Sequence, residues 1–563
     1  MNKYRSNFEP GTTRWAIRQA QWRAMGISKE DMLKPKIAIV NSSSGLSICY
    51  SHLDEIATLV KQAITEAGGL GFEIKTTAPS DFITGAGRGG RYLLPSRDLM
   101  VNDIEAMVEG AQLDGMVCLS SCDKTAPAHL MSAARLNIPT ILVPCGYQGC
   151  GQFKGKTVDI EDVFESVGEL ANGHIDVGTI EGMCEVAISS PGVCAGMGTA
   201  NTMHIMAEAL GMTLPGSAPV SARSPRLASL AQEAGRRIVG MIEQDLRPRQ
   251  ILTAGAFRNA LRVGLAVSGS INLFRHLQAV AEEGEVPVDL YTLCEEFDGK
   301  VPLLCAVKPN GPGRIEDLDA AGGARAIMKR LEPLLDTDVI TVSGRTLKVD
   351  LAEVPLSPAA LLGTLNDPIG PGPSVVILRG SLAPEGAIMK LGSGGKAATY
   401  RGVARVFEAQ EDALAALERG ELHAGQVIVL RGLGAKGGPG VASASWFVAA
   451  VNGAGLGDGM AVITDGQLSG LNRGYTIGQV MPEAAEGGPL GLVNDGDEIV
   501  IDVAQRRVDL AIDAETFDSR KTAWETARRE GKNGLRPEKG YLGLYRSLVQ
   551  PLSKGGVLRP CDD

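Results

Sequence analysis

Twice within its first 150 residues the chain passes from a run of apolar residues into a segment with helical spacing, which limits what it can fold into. Residues 36–43 (KIAIVNSS), with the apolar run Ile37–Val40, read as a buried strand. After them Leu53, Ile56, Leu59, Val60 and Ile64 keep helical spacing. Ser51 stands as the N-cap, Asp54 and Glu55 in the first turn, and Gly68-Gly69 at the end. The unit recurs. Residues 115–121 (GMVCLSS) read as a strand, a helix follows around Ala128 to Leu136 with Pro127 in its first turn, and 138–144 (IPTILVP) is the next strand. Strand–helix–strand alternation builds a parallel sheet covered by helices, so an α/β N-terminal domain is expected.

From Leu210 to Pro355 the pattern is mainly helical, with segments at 226–243 and 272–283. NDPIGPGP at 366–373 then carries three prolines and reads as a linker. Beyond it come short strands: 374–379 (SVVILR), 426–431 (QVIVLR), 460–464 (MAVIT), 497–503 (GDEIVID) and 507–512 (RVDLAI). A chain of 563 residues is too long for one core, and these shifts divide it into an α/β domain over 1–365 and a smaller β-rich domain over 374–563.

Composition narrows the function. Glycine is abundant, 71 residues, but no G-X-Y period runs, so the chain is not collagen. A net charge of −10 and an aromatic content of 4% offer neither a basic field for nucleic-acid phosphates nor stacking platforms for bases. No apolar run reaches the roughly 18 residues of a membrane span. The opening MNKYRSNFEPGTTRW has no apolar core of the signal-peptide kind, and a cytoplasmic location is expected.

In such a chain ten cysteines do not read as disulfides, and no C-x-x-C pair suggests a zinc site. Three of them share a context. Cys49 precedes the first helix, Cys122 lies between a strand end and the second, and Cys194, in SPGVCAGMGTANTM, precedes a helix with Met203, Met206, Ala207 and Leu210 on its apolar face. A thiolate at a helix N-terminus is stabilised by free amides and the helix dipole. Three such thiolates at one sheet edge could hold an iron–sulfur cluster with one iron position open, a Lewis acid for a hydroxyl leaving group. Small buried hydrophobes are the other reading of these cysteines, and spacing leaves both open.

Longer motifs stand in order along the chain. They are RYLLPSRD at 91–98, SCDKTAP at 121–127, GMGTANTM at 196–203, LPGSAP at 214–219, RGSLAPEGAIMK at 379–390, KGGPG at 436–440, TDGQLSG at 464–470 and PEAAEGGPLGLVNDGD at 482–497. With them the sequence resembles the dihydroxyacid dehydratase / phosphogluconate dehydratase family, which includes sugar-acid dehydratases. The resemblance implies an iron–sulfur cluster on Cys49, Cys122 and Cys194, [2Fe-2S] rather than [4Fe-4S]. It implies a magnesium ion on Asp123 and a carbamylated Lys124, and Ser469 as the catalytic base. The implied enzyme is a hydro-lyase that converts a 2,3-dihydroxy carboxylate to a 2-keto acid. A swivelling, barrel-like C-terminal domain would bring Ser469 over the cluster, and the chain would form a homodimer or homotetramer.

Two positions depart from the family. Where it has a glutamate in a loop like GHEGMRY, this chain reads GAGRGGRY and places Arg88. Where a second glutamate follows GGPGM, this chain reads GGPGVASAS and places Ser443. Both carboxylates expected on magnesium are therefore missing. Two readings stay open. In one, magnesium is lost and Arg88, with a free Lys124, binds the substrate carboxylate directly. In the other, Asp81 or Asp465 completes an altered metal site. The altered site leaves room for a different hydroxy-acid substrate or a non-catalytic iron–sulfur protein. His52, His129, His204 and His276 read as packing or hydrogen-bonding residues, and Asn272 and Lys308 as site-lining or structural. GLGAKGGPG at 432–440 reads as a loop bringing backbone close to the ligand. The other seven cysteines read as structural thiols.

Overall fold

The computed structural model describes residues 3–85, 90–171, 173–356, 360–391, 399–438, 444–466, 468, 474–530 and 538–560. Arg88, Ser443, Ser469 and Cys561 lie outside the described residues.

The N-terminal part is built on a parallel sheet of four strands, β1 (Lys36–Asn41), β2 (Leu70–Lys75), β3 (Gly115–Ser120) and β4 (Thr140–Pro144), in the order β2-β1-β3-β4. Every residue of β1, β3 and β4 is buried, as their apolar runs require. The edge strand β2 (LGFEIK) carries charge and is partly exposed, which is why no continuous apolar run marks it. Between β1 and β3 the strand order reverses direction, and it is at the carboxyl ends of such a reversal that open α/β sheets take ligands. Helices cover the sheet, and a larger helical layer over residues 225–352 packs behind them.

Both helix starts differ from the sequence expectation. The helix after β1 spans Leu53–Glu66 and is not capped by Ser51. The Ser51 hydroxyl donates instead to the Ile48 carbonyl, closing a short 3₁₀ turn, Ile48–Tyr50, that carries Cys49. The helix after β3 begins at Cys122 rather than near Ala128, so Pro127 sits in its second turn. Its start is held by Thr125, whose hydroxyl accepts from the Ser121 amide at 2.8 Å and bonds back to the Ser121 carbonyl. Those bonds offset the one that Pro127 cannot donate.

After the hairpin of β5 (Gly151–Phe153) and β6 (Lys156–Val158), the remaining strands form one eight-stranded sheet. They are β7 (Val375–Leu378), β8 (Gly386–Lys390), β9 (Thr399–Phe407), β10 (Gln426–Leu430), β11 (Ala461–Thr464), β12 (Tyr475–Met481), β13 (Glu498–Asp502) and β14 (Arg507–Leu510). Their order is β14-β13-β9-β10-β11-β12-β8-β7, with β9 to β12 parallel and the flanking pairs antiparallel. The sheet nearly closes into a barrel. Arg379, just after β7, accepts from the Val508 amide and donates to the Arg506 carbonyl, each at 2.9 Å. Alternate residues of β10 serve two cores: Val427 and Val429 point into the barrel, while Ile428 and Leu430 join the core shared with the N-terminal helices. The helices Ile160–Ala171 and Ala444–Gly453 cross at two glycines, and a methyl on Gly453 would stand 3.1 Å from Gly168 Cα. Among the described residues no helix is long and apolar enough to cross a membrane.

The seam makes a specific demand. A β-carbon at Gly380 would lie 2.2 Å from the Val508 carbonyl oxygen. Gly380→Ala must therefore displace backbone at the closure, at a cost of roughly 1–3 kcal/mol, read as a lower midpoint of denaturant unfolding.

Candidate active site

The turn after β1 and the helix after β3 emerge side by side at the reversal point, and they carry Cys49 and Cys122. The Ser121 hydroxyl donates to the Cys49 carbonyl at 2.6 Å and ties the two together. The two thiols share a hydrogen bond. That bond, with support from Ser47 at 2.8 Å and Ser80 at 3.8 Å, lowers the Cys49 thiol to about 7. Its counterpart is that Cys122 holds its proton, raised by the bond to Cys49 and by burial. Cys122 also adopts φ +27°, a conformation that residues with a β-carbon reach only at a cost.

Cys194 arrives on a separate loop. Val193 is bonded to the extension of β4, through Val193 N to Gly146 O at 2.9 Å and Gln148 N to Val193 O at 2.8 Å. Asn201, in the helix Thr199–Ala209, donates to the carbonyls of Cys194 and Gly196, both at 2.8 Å. The Cys194 thiol is raised by burial and then by Asp123 and Cys49, so it lies within electrostatic reach of both. Among the described residues no three or more His, Cys, Asp or Glu side chains close into a ready metal-binding group. The structure thus joins two of the expected thiols and brings the third near them. Their chemistry suits an iron–sulfur cluster: buried cysteine sulfur, one thiol already favouring the thiolate, and a helix N-terminus at Cys122.

Beside the thiols lie Asp81, Asp123 and Lys124. Lys124 is fully buried, and its Nζ donates to Asp81 Oδ2 at 2.7 Å. The Asp123 carboxyl is held well above the ordinary carboxylate range by burial and by the neighbouring Asp81, to which it is hydrogen-bonded. Apart from Asp123, Asp81 Oδ1 is buried with no hydrogen-bond donor among the described residues. Two facing carboxylates with an orphaned oxygen call for a proton or a cation, and a divalent cation with oxygen ligands fits the donor set. Asp123 is also bonded to Thr199. Thr199 Oγ1 in turn accepts from Asn272 Nδ2 at 2.8 Å and pairs with Ser270 at 3.0 Å. Asn272 therefore belongs to the site through Thr199.

Asp465 serves another purpose. Its oxygens accept the amides of Gly432 (3.1 Å), Leu433 (2.9 Å) and Ala484 (2.9 Å). Glu483 likewise accepts from Lys436 and Gly437, at 2.8 and 3.0 Å. The glycine loop of 432–438 is thus wrapped on two buried carboxylates. A β-carbon at Gly434 would stand 2.1 Å from Glu483, which explains a glycine there. Lys308 is bound to Asp159 and Asp162.

All four histidines near the motifs are buried. His52 bonds to the Cys145 carbonyl at 2.6 Å and His129 to Ser120 at 2.9 Å. Burial lowers His129 to about 3 and His204 to about 4, and both are neutral. Cys118, Cys145, Cys294 and Cys305 are buried thiols, Cys150 lies 3.6 Å from Arg314, and Cys184 is exposed. Sequence reasoning missed Tyr50, Ser80 and Thr199. Thr199 lies inside the GMGTANTM motif without having been singled out, and Tyr50 and Ser80 adjoin residues that were.

Thiols and paired carboxylates thus share one sheet edge, in a chain with a barrel-like C-terminal sheet, and their donor atoms suit a metal group. The profile "Dihydroxy-acid/6-phosphogluconate dehydratase N-terminal" matches residues 34–350, and its C-terminal counterpart matches 360–556. The chain is 39% identical to the dihydroxy-acid dehydratase of Methanococcoides burtonii over 95% of its own length and 96% of the relative's. It is 40% identical to that of Pyrococcus abyssi (97% and 98%) and 37% identical to that of Aquifex aeolicus (99% and 100%). The chain belongs to the dihydroxy-acid/6-phosphogluconate dehydratase family and is an enzyme of the hydro-lyase class.

The thiol pair yields a measurable sign. In cluster-free protein Cys49 is thiolate above about 7, so its alkylation by iodoacetamide rises as pH increases through that value. In Cys122→Ala the main stabilising bond is lost, and the midpoint moves up toward that of an ordinary thiol, as peptide mass spectrometry of labelled Cys49 will show.

Proposed function

We propose that this chain dehydrates a 2,3-dihydroxy carboxylate, or a sugar-acid-like relative of one, to a 2-keto acid, using an iron–sulfur cluster and an altered divalent-cation site. The observation that carries the reading is the meeting of the Cys49 and Cys122 thiols beside the Asp81–Asp123 carboxylates. Cys49, Cys122 and Cys194 would hold the cluster, [2Fe-2S] by family resemblance, which when bound supplies an open iron for the departing C3 hydroxyl. Asp81 and Asp123 would hold the cation, which supplies positive charge at the substrate carboxylate and C2 oxygen.

The remaining work falls to the chain. Ser469, as its alkoxide, takes the C2 proton as the C3–O bond breaks and returns that proton to the departing hydroxyl, which leaves as water; the enol formed tautomerises to the keto acid. Lys124 anchors Asp81 through its ammonium group, and Thr199 fixes Asp123. Arg88 supplies a guanidinium for the substrate carboxylate where the family has a glutamate. Asp81 Oδ1, which has no donor besides Asp123, is the oxygen an altered site would offer the cation. The enzyme is read as a cytoplasmic homodimer or homotetramer.

The test is a screen of 2,3-dihydroxy and sugar acids with anaerobically reconstituted protein, following 2-keto acid release. Turnover of at least one is expected. Ser469→Ala should lower it about 10²–10⁴-fold with iron content unchanged, and Asp81→Asn should remove the response to added Mg²⁺. No turnover of any acid by protein with a full cluster would establish the non-catalytic reading instead.

A further inference from the structure

We infer that Tyr50 is a positioning residue that locks the seat of the sulfur ligands to the carboxylate Asp81, an inference that rests on the cation reading above. Tyr50 follows Cys49 directly and is completely buried. Its hydroxyl donates to the Pro79 carbonyl at 2.5 Å, and the same oxygen is in hydrogen-bond contact with the Cys122 thiol. One phenol therefore touches a sulfur ligand of one group and the backbone two residues before a ligand of the other.

The intervening residue is tied to the same turn. Ser80 Oγ accepts from Ser47 Oγ at 3.1 Å and from the Cys49 thiol at 3.8 Å. Among the described residues, the hydrogen bonds that reach 79–81 from outside its own helix come from the 47–50 turn and from Asp123 and Lys124. The position of Asp81 relative to the thiols is thus set by Tyr50 and the two serines on the Cys49 side, and by Asp123 and Lys124 on the Cys122 side. Removing only the phenol hydroxyl leaves the ring in place but leaves the Pro79 carbonyl without its donor, freeing the segment that carries Asp81.

The experiment uses the anaerobically prepared holoenzyme, with Mn²⁺ alone as the probe. Tyr50→Phe is compared with wild type and with Tyr291→Phe, which removes a buried hydroxyl elsewhere. Expected in Tyr50→Phe are wild-type iron and sulfide content and an Mn²⁺ affinity weakened about three- to tenfold by EPR titration, with Tyr291→Phe unchanged. Wild-type Mn²⁺ affinity in Tyr50→Phe overturns the inference, because packing alone predicts that result. Loss of the cluster also overturns it, since the hydroxyl would then serve only the sulfur seat. If wild type itself binds no Mn²⁺, the cation reading fails. Tyr50 is then decided by the visible circular dichroism of the cluster, which shifts in Tyr50→Phe if the phenol touches the Cys122 sulfur and overturns the inference if it does not.

Discussion

Because β1 pairs with β3 in parallel register, Val40 opposite Cys118, the segments leaving both strands emerge from the same edge of the sheet. The strand order reverses there, so no crossover helix covers the gap. Cys49 and Cys122 need only be the first reactive side chains past each strand to meet. Cys194 requires more: a loop hooked onto the extension of β4 and shaped from behind by Asn201. The two-strand pairing comes first, and the third thiol is fitted to it.

Next to the sulfurs, the fold buries charge that it only partly compensates. Lys124 neutralises one oxygen of Asp81, and the carboxyl of Asp123 is hydrogen-bonded to the same side chain. Removing such groups from water costs several kcal/mol each unless they are paired, so the arrangement is stable only with a further positive partner or a proton. Elsewhere the same difficulty is met with backbone. Asp465 and Glu483 are satisfied almost entirely by amides, and this calls for glycine where the chain must pass closely over a carboxylate. Gly196 against Glu161 is a second case, with a β-carbon there only 2.3 Å from a carboxylate oxygen. Part of the glycine abundance thus reflects buried acids rather than contact with a ligand.

The parallel sheet was legible because β1, β3 and β4 are buried on both faces and therefore spell out continuous apolar runs. β2 lies at an edge, and β9 is exposed at alternate positions, so neither produced that signal. Helix starts were misplaced where side-chain bonds decided them: Thr125 extends the helix after β3 six residues ahead of Ala128, and the Ser51 hydroxyl closes a 3₁₀ turn instead of capping. The site residues were found from motifs, not from spacing. Asp81 appeared only as one of two alternatives. Its choice over Asp465 depends on where hydrogen bonds end, which no local pattern encodes.

The division of β10 between two cores has a consequence for recombination with relatives. Its inward residues answer only to the barrel, but Ile428 and Leu430 are fitted to helices hundreds of residues earlier in the chain. Ile377 of β7 and Ile388 of β8 are placed in the same way. A C-terminal half taken from a homologue would bring its own barrel interior intact and yet present a mismatched outer face to this N-terminal half. Chimeras across the 366–373 junction should therefore succeed or fail according to the outward-facing residues of these strands, however similar the barrels are inside.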